Sequence, residues 1–218
     1  MDFHIDPAAS RFTVRAFAGG MLSGMGHNPT FLARDLAGEV AFDSDARRAT
    51  LVRLKVGAPS LSVIDSVSDK DRREIERITS QEVLESAMYP EILFEASRVA
   101  LTGGPGGPLQ ATLDGVLTLH GVSRPQQVVA RVYPDGDTLR AQGEGTLRLT
   151  DFRIEPVSVA GGMLKVKDEV KLAFDIVARS MPSSKSGSPA GEGAERRPDD
   201  DRAQDSMGAA SPSSTSSP

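Results

Sequence analysis

The chain has 218 residues, a formal net charge of -5 and no cysteine, and 39% of its residues are hydrophobic. The absence of cysteine excludes disulfides, thiolate nucleophiles and cysteine-ligated zinc sites. Neither the charge balance nor any run of Lys and Arg provides a basic face, so we expect no nucleic-acid partner and no anionic membrane partner.

The amino terminus shows no targeting segment. Met1 and Asp2 lead directly into the letters FHID, without the basic region, apolar region or small-residue cleavage site of a signal peptide. We therefore expect a cytoplasmic protein. The longest apolar runs comprise only a few residues, well short of the ~20 that span a bilayer, so no membrane span is expected.

The first part of the chain predicts three β-strands, because apolar and polar residues alternate there with period two. In the third strand Val52, Leu54 and Val56 share one face, and charged residues occupy the other. These strands cover residues 11–16, 38–43 and 50–56.

One helical segment follows. Over residues 69–85 apolar side chains recur at roughly helical spacing, and Ser68 with Asp71 resembles a capping box, which makes Ser68 the candidate N-cap. We expect a break near Thr79 or Ser80. This segment either plugs one end of the fold or forms a lid over a cavity mouth, and the two roles are compatible.

Five more strands are predicted after the helix. The clearest is the last, where Val170, Leu172 and Phe174 alternate with Glu169 and Lys171, so its apolar face must be buried. These strands cover residues 91–98, 109–120, 126–133, 138–149 and 168–179.

Eight strands with one helical interruption predict an all-β fold. An open sheet of this many twisted strands would expose two edges, whereas closure pairs the edges and leaves an interior wide enough for side chains or one small ligand. We therefore predict an eight-stranded antiparallel lipocalin-like barrel with one short helical insertion. A two-sheet sandwich is the alternative, since the same alternation permits it.

The carboxyl-terminal segment differs in composition from the rest of the chain. From residue 183 onward Met207 is the only large apolar residue, among many Ser, Pro, Gly and charged residues. Such a segment cannot bury enough apolar surface to offset its ordering entropy. We predict a barrel domain over residues 1–180 and a disordered tail over residues 181–218, which could recruit a partner if the protein acts as a scaffold.

The apolar faces of two long predicted strands contain small residues. Gly115 lies on one such face, and Ala141, Gly143 and Gly145 lie on the other. Because protein interiors contain few voids, small residues inside a closed barrel indicate either a ligand cavity or sharp bends in the strands. We favour the cavity.

One segment between Phe3 and Ala178 is especially distinctive. In LTLHGVSRPQQVVARV, His120, Gly121 and Pro125 stand in a His-Gly-Val-Thr-x-Pro hairpin motif with Ser in place of Thr. With the segments FHIDPAASRFTVRAF, GEVAFD, MYPEILFEAS and LTDFRIEP, the chain from Phe3 to Ala178 resembles the YceI family, also called the lipid-binding or polyisoprenoid-binding YceI-like domain.

This resemblance implies an extended eight-stranded barrel whose pore binds an isoprenoid or other lipid chain, commonly in a homodimer. Members of the family are often periplasmic or secreted, whereas no signal peptide is visible here. The glycine- and methionine-rich segment AGGMLSGMGHNPTF also departs from the usual first loop.

The predicted ligand site combines the barrel interior with a rim around its mouth that includes Met21, Met25 and Phe31, and the methionine side chains can adapt to irregular shapes. The alternative is that these rim residues are ordinary core beneath a loop. His27 either contacts the ligand head group or is an ordinary polar residue in an Asn-Pro turn. The ring of His120 is expected to form a hydrogen bond with the backbone of its turn. The predicted ligand-binding residues are Leu113, Gly115, Leu117, Ala141, Gly143, Gly145, Phe174, Met21, Met25, His27 and Phe31.

We expect a non-enzymatic protein that holds an apolar small molecule inside the barrel. The three histidines lack metal-ligand spacing, and no nucleophile elbow, phosphate loop or dinucleotide fingerprint is present, so no metal, catalytic residue or cofactor is predicted. The alternative is a small barrel enzyme that acts on an apolar substrate with His27 as acid or base.

Overall fold

A computed structural model describes residues 2–19, 28–43, 48–104, 107–156, 158–159 and 164–180. The predicted tail, residues 181–218, lies outside the described residues, so the division into domain and tail stays a prediction. The strands before the helix are β1 (Asp2–Ile5), β2 (Arg11–Arg15), β3 (Ala18–Gly19), β4 (Thr30–Ala33), β5 (Leu36–Asp43), β6 (Arg48–Gly57) and β7 (Leu61–Val63).

The helical segment and the longer strands follow. Helix α1 (Asp69–Ile78) continues into a π-helical turn, Thr79–Val83, and a short 3-10 turn, Leu149–Phe152, follows β11. The remaining strands are β8 (Glu91–Thr102), β9 (Leu109–Leu119), β10 (Val122–Asp135), β11 (Thr138–Arg148), β12 (Ser158–Val159), β13 (Leu164–Val166) and β14 (Glu169–Ser180).

The predicted eight-stranded antiparallel barrel is confirmed. Its closed ring runs through β1, β5, β6, β8, β9, β10, β11 and β14 and returns to β1 through a β1–β14 pairing. Strand β2 was predicted as a barrel strand, but it instead pairs with β14 on one side and with β4 on the other, and β4 pairs with β7. The place in the ring belongs to β1, whose four residues are too few for the alternation to stand out.

The predicted helix cap is also confirmed. Ser68 Oγ accepts a hydrogen bond from the Asp71 backbone N–H at 3.1 Å and donates one to the Asp71 carboxylate at 2.7 Å. The α-helix ends at Ile78 with Thr79 as C-cap, where the break was expected. The helix is anchored to β7, because the Val63 N–H donates to Glu76 Oε1 at 2.8 Å.

Both ends of the barrel contain buried apolar side chains. At the end that carries the β10–β11 turn, Phe3 packs edge-on against Phe42 with ring centroids 6.3 Å apart. At the opposite end Leu84, Phe152 and Ile154 are buried in one cluster. Helix α1 itself contains no fully buried residue, so among the described residues this second end is filled by the segments after α1 and after β11 rather than by the helix.

The 3-10 turn at the second end is held by Asp168. The Asp168 carboxylate accepts hydrogen bonds from Thr150 N and Thr150 Oγ1, both at 2.8 Å, and from Arg148 Nε at 3.0 Å. The backbone N–H of Thr150 is the main reason that the pKa of Asp168 lies below its usual value of 3.8. This carboxylate therefore stabilises the turn that carries the buried Phe152.

The substitution Asp168→Ala should lower the free energy of unfolding by about 1–2 kcal/mol at pH 7, because it removes hydrogen bonds to a charged acceptor. The carboxyl pKa is lower in the folded state than in the unfolded state, so its stabilisation is complete above pH about 4 and is lost as pH falls through the lowered folded-state pKa. Urea unfolding across this range should show the gap between Asp168→Ala and the unsubstituted protein closing in acid.

The matched control is Asp2→Ala, since the Asp2 side chain is exposed and makes no hydrogen bond that the structure describes. This control should unfold like the unsubstituted protein at every pH. A gap for Asp168→Ala that stayed constant from neutral to strongly acidic pH would contradict the assigned role of the charge.

Candidate ligand cavity

The barrel encloses a cavity of about 330 Å³ between the inward faces of its strands. The lining is almost entirely aliphatic and aromatic. Its apolar members on the ring strands include Ile5, Val40, Val52, Leu54, Val56, Ile92, Phe94, Val99, Leu101, Leu113, Leu117, Val128, Val132, Leu139, Leu172, Phe174 and Ile176. The volume lies at the lower end of the range of small-molecule sites, roughly 300–1,000 Å³.

Five of the residues predicted for the ligand site line this cavity. They come from β9, β11 and β14: β9 and β11 lie on the two sides of β10, and β11 pairs with β14. This arrangement brings residues that are far apart in sequence to one cavity. These residues are Leu113, Leu117, Ala141, Gly145 and Phe174.

Two predicted glycines have a different role. A Cβ at Gly115 would lie 2.7 Å from Phe94 Cζ and 2.5 Å from the carbonyl oxygen of Glu95, and a Cβ at Gly143 would overlap Phe174 Cζ. These glycines leave room for aromatic rings that cover them, so neither is among the lining residues. At Gly145 a Cβ would meet no atom within 4 Å, and there the missing side chain does leave open space.

The predicted rim is only partly described. Phe31 lies in β4, is 5% exposed and does not line the cavity, as expected for core beneath a loop. Met21, Met25 and His27 lie outside the described residues, so their assignment to the ligand site stays a prediction.

Sequence reasoning missed the contribution of the strands on the opposite side of the barrel. Val52 and Leu54 from β6, with Ile92, Phe94 and Val99 from β8, form that wall. The predicted alternation already assigned Val52 and Leu54 to an inward face. Large side chains form most of the wall, and small residues in a strand do not indicate where such side chains lie.

The barrel wall is interrupted between β10 and β11. Their pairing extends only from Asp135 opposite Thr138 to Arg131 opposite Gln142. Beyond this point β10 still pairs with β9, and β11 still pairs with β14, but not with each other. The cavity lining includes residues of both strands along this interruption, among them Val129, which is 45% exposed.

His120 belongs to a cluster outside the cavity. Its φ of 51° and that of Gly121, 70°, form the tight β9–β10 turn that the hairpin motif predicts. The ring was expected to bond turn backbone, but its Nε2 lies 2.7 Å from the Glu85 carboxylate. It also packs against Tyr89, with the ring centroids 4.5 Å apart and the two planes tilted by 57°. This contact ties the turn to the segment after α1.

The described residues contain no group of three or more His, Asp or Glu side chains that could hold a metal ion. Of the two histidines that are described, His4 lies on β1 and His120 contacts Glu85, and neither lines the cavity. In the part of the chain that the structure covers, no helix is long and apolar enough to cross a membrane.

Comparison with known proteins supports one family. The family model described as "YceI-like domain" matches residues 3–178. A UPF0312 protein of Pseudomonas fluorescens is 31% identical over 137 residues, which are 60% of this chain and 66% of that protein. Protein YceI of Escherichia coli O157:H7 is 28% identical over 128 residues, 56% of this chain and 61% of that protein. The chain thus spans less than two thirds of the length of these relatives.

Two solved structures share the fold at low sequence identity. BcnA of Burkholderia cenocepacia has a TM-score of 0.59 at 18% identity, covering 79% of this chain and 98% of that one. A protein described as a polyisoprenoid binding domain of Saccharophagus degradans, implicated in plant cell wall breakdown, has a TM-score of 0.60 at 15% identity, covering 82% and 98%.

The two glycines of β11 that share the inward face provide a test of the interior. Neither has a positive φ, so the backbone conformation itself permits alanine at both positions. Gly143→Ala should lower the free energy of unfolding by about 1–3 kcal/mol, because the added Cβ would overlap the Phe174 ring and lie 2.6 Å from the carbonyl oxygen of Val129, so both must shift. Gly145→Ala, the matched control, should leave stability unchanged or raise it by about 0.4–1 kcal/mol. Chemical unfolding of both variants measures this, and equal losses would contradict the difference in packing.

Proposed function

The chain belongs to the YceI-like domain family, and on this basis we propose that its barrel binds an apolar small molecule, an isoprenoid or other lipid chain, in the central cavity. The observation that carries the proposal is the cavity itself, about 330 Å³ between apolar strand faces. The description of the Saccharophagus degradans domain as polyisoprenoid-binding supports the same ligand class.

The chemistry of the lining favours an apolar chain over a polar metabolite. A polar ligand buried among Leu113, Leu117 and Phe174 would lose its hydrogen bonds to water without replacing them. A methylene there contributes roughly 0.8 kcal/mol, so a chain of about ten carbons offers ~8 kcal/mol before the costs of ordering and association. No polar anchor is then required for useful affinity.

The size of the cavity limits how much chain it holds. At about 330 Å³ the cavity lies near the lower end of the range of small-molecule sites, roughly 300–1,000 Å³, which suits a single short chain. A longer isoprenoid would extend beyond the space between the described residues. We propose binding without chemical conversion, as sequestration or transport of the ligand.

Native mass spectrometry of the gently purified full chain tests the proposal. Addition of farnesol or dodecanoic acid should produce a one-to-one adduct that survives mild activation. A bare polypeptide mass under all of these conditions would contradict ligand binding.

A cavity-filling variant locates the bound chain. Gly145 lines the cavity, and a Cβ there would meet no atom within 4 Å, so in Gly145→Phe the side chain can leave the backbone without a clash and its ring should take up part of the cavity. Loss of room for as few as two methylenes costs about 1.6 kcal/mol, so the Kd for cis-parinaric acid, read by fluorescence, should rise at least about tenfold. The matched control is Val116→Phe, which adds a ring at a position that is 44% exposed and absent from the cavity lining. Equal affinities for both variants would exclude this cavity as the site.

A further inference from the structure

The interruption between β10 and β11 is a bounded opening in the barrel wall. At one end the strands are joined by their pairing from Arg131 opposite Gln142 to the turn. At the other end Arg124 Nε donates a hydrogen bond to the carbonyl oxygen of Asp151 at 3.1 Å, which links β10 to the 3-10 turn that follows β11. The two strands are still close at Gly143, where a Cβ would lie 2.6 Å from the carbonyl oxygen of Val129, whereas at Gly145 it would meet no atom within 4 Å. We call the opening beyond this contact the lateral window, with residues 125–128 and 144–148 as its two rims.

The cavity reaches this window. Val128 and Ala130 face the interior from β10, yet the outward residue between them, Val129, also lines the cavity and is 45% exposed. On the opposite rim Gly145 is exposed, and the space where its Cβ would lie is empty. A molecule inside the barrel is therefore in contact with solvent through this side of the wall.

Polar groups of the lining concentrate at the window. Gln126 and Gln127 on one rim and Glu144 and Thr146 on the other are polar members of an otherwise apolar lining, and Arg53 lies on another part of the wall. The rims also carry backbone N–H and C=O groups that have no strand partner across the gap. Such groups require hydrogen bonds from water or from a ligand.

We infer that the lateral window is the entrance through which the ligand passes, and that the ligand is an amphiphile whose apolar chain lies inside the barrel and whose polar end stays between the rims. This inference rests on the proposed function and specifies its ligand class and its route. Both barrel ends are filled among the described residues by clusters that include Phe3 and Phe42 at one end and Phe152 and Ile154 at the other.

A crosslink across the window tests the route. Continuing the β10–β11 register beyond Arg131 and Gln142 sets Gln127 opposite Thr146. The chain has no cysteine, so Gln127→Cys with Thr146→Cys introduces its only two thiols. A crosslinker with two thiol-reactive groups joined by a reducible disulfide can link them. The control pair is Asp135→Cys with Thr138→Cys, at positions where the two strands are already paired.

Dissociation of cis-parinaric acid from preloaded full-length protein should slow about tenfold or more when the window is crosslinked, because the crosslink holds the two rims together and blocks the exit route. Reduction of the crosslinker should restore the original rate in the same sample, and the control pair should exchange at that rate throughout. Unchanged exchange in the crosslinked window protein would overturn the inference while leaving the proposed function intact. Failure of the uncrosslinked protein to bind the probe at all would instead refute the proposed function.

A labelled chain tests the orientation. Dodecylamine that carries a nitrobenzoxadiazole dye on its nitrogen should bind, because the dye remains outside the window. Dodecanoic acid with the same dye at the far end of the chain should bind at least about tenfold more weakly, since the bulky group must enter the cavity. Equal binding of both probes, or preference for the tail-labelled probe, would overturn the assigned orientation.

Discussion

Closure of the barrel depends on β14, because one edge of this strand pairs with both β2 and β1. Its other edge pairs with β11 throughout. On the closing edge β2 pairs up to Asp175 and β1 pairs from Ala178 onward. At the junction Val177 accepts hydrogen bonds from Asp6 N at 2.8 Å and Ser10 Oγ at 3.2 Å, and it donates to Ser10 Oγ at 2.9 Å. The short connection between β1 and β2 thus completes the ladder where neither strand can.

The shape of the interior follows from how the strands of this ring are set against one another. The register places Gly143 opposite Phe174, and the ring of that phenylalanine covers the glycine. Phe94 covers Gly115 from a diagonal position, since Gly115 is itself opposite Ala96. Small residues are therefore not equivalent: those beneath an aromatic ring permit dense packing, whereas Gly145, with no ring above it, contributes open space. Whether a glycine adds to the cavity therefore depends on whether an aromatic side chain covers it.

This distinction shows what the sequence could and could not predict. Alternation within a strand identifies its inward face, which is why Leu113, Leu117, Ala141 and Phe174 could be assigned to the cavity wall. Which side chain covers a glycine depends on register between strands, and that information is not local. The contact of His120 with Glu85 was missed for the same reason, since it joins a hairpin turn to a segment about 35 residues earlier in the chain. The cap at Ser68 was predictable because every atom involved lies within four residues.

The window between β10 and β11 is consistent with the residues that border it, although no local pattern predicts that two hairpin strands separate. Pro125 cannot donate a ladder hydrogen bond, and such residues are confined to edges and bulges of sheets. It lies in the part of β10 that has no β11 partner. On the other rim Gly145 has low β-propensity and no side chain to pack across the gap. Because β9 and β14 pair with these strands along the same stretches, the ring persists while its wall stays open at this place. Since both ends are filled by side chains among the described residues, the route we propose would let an apolar chain enter through the side without unpacking either end.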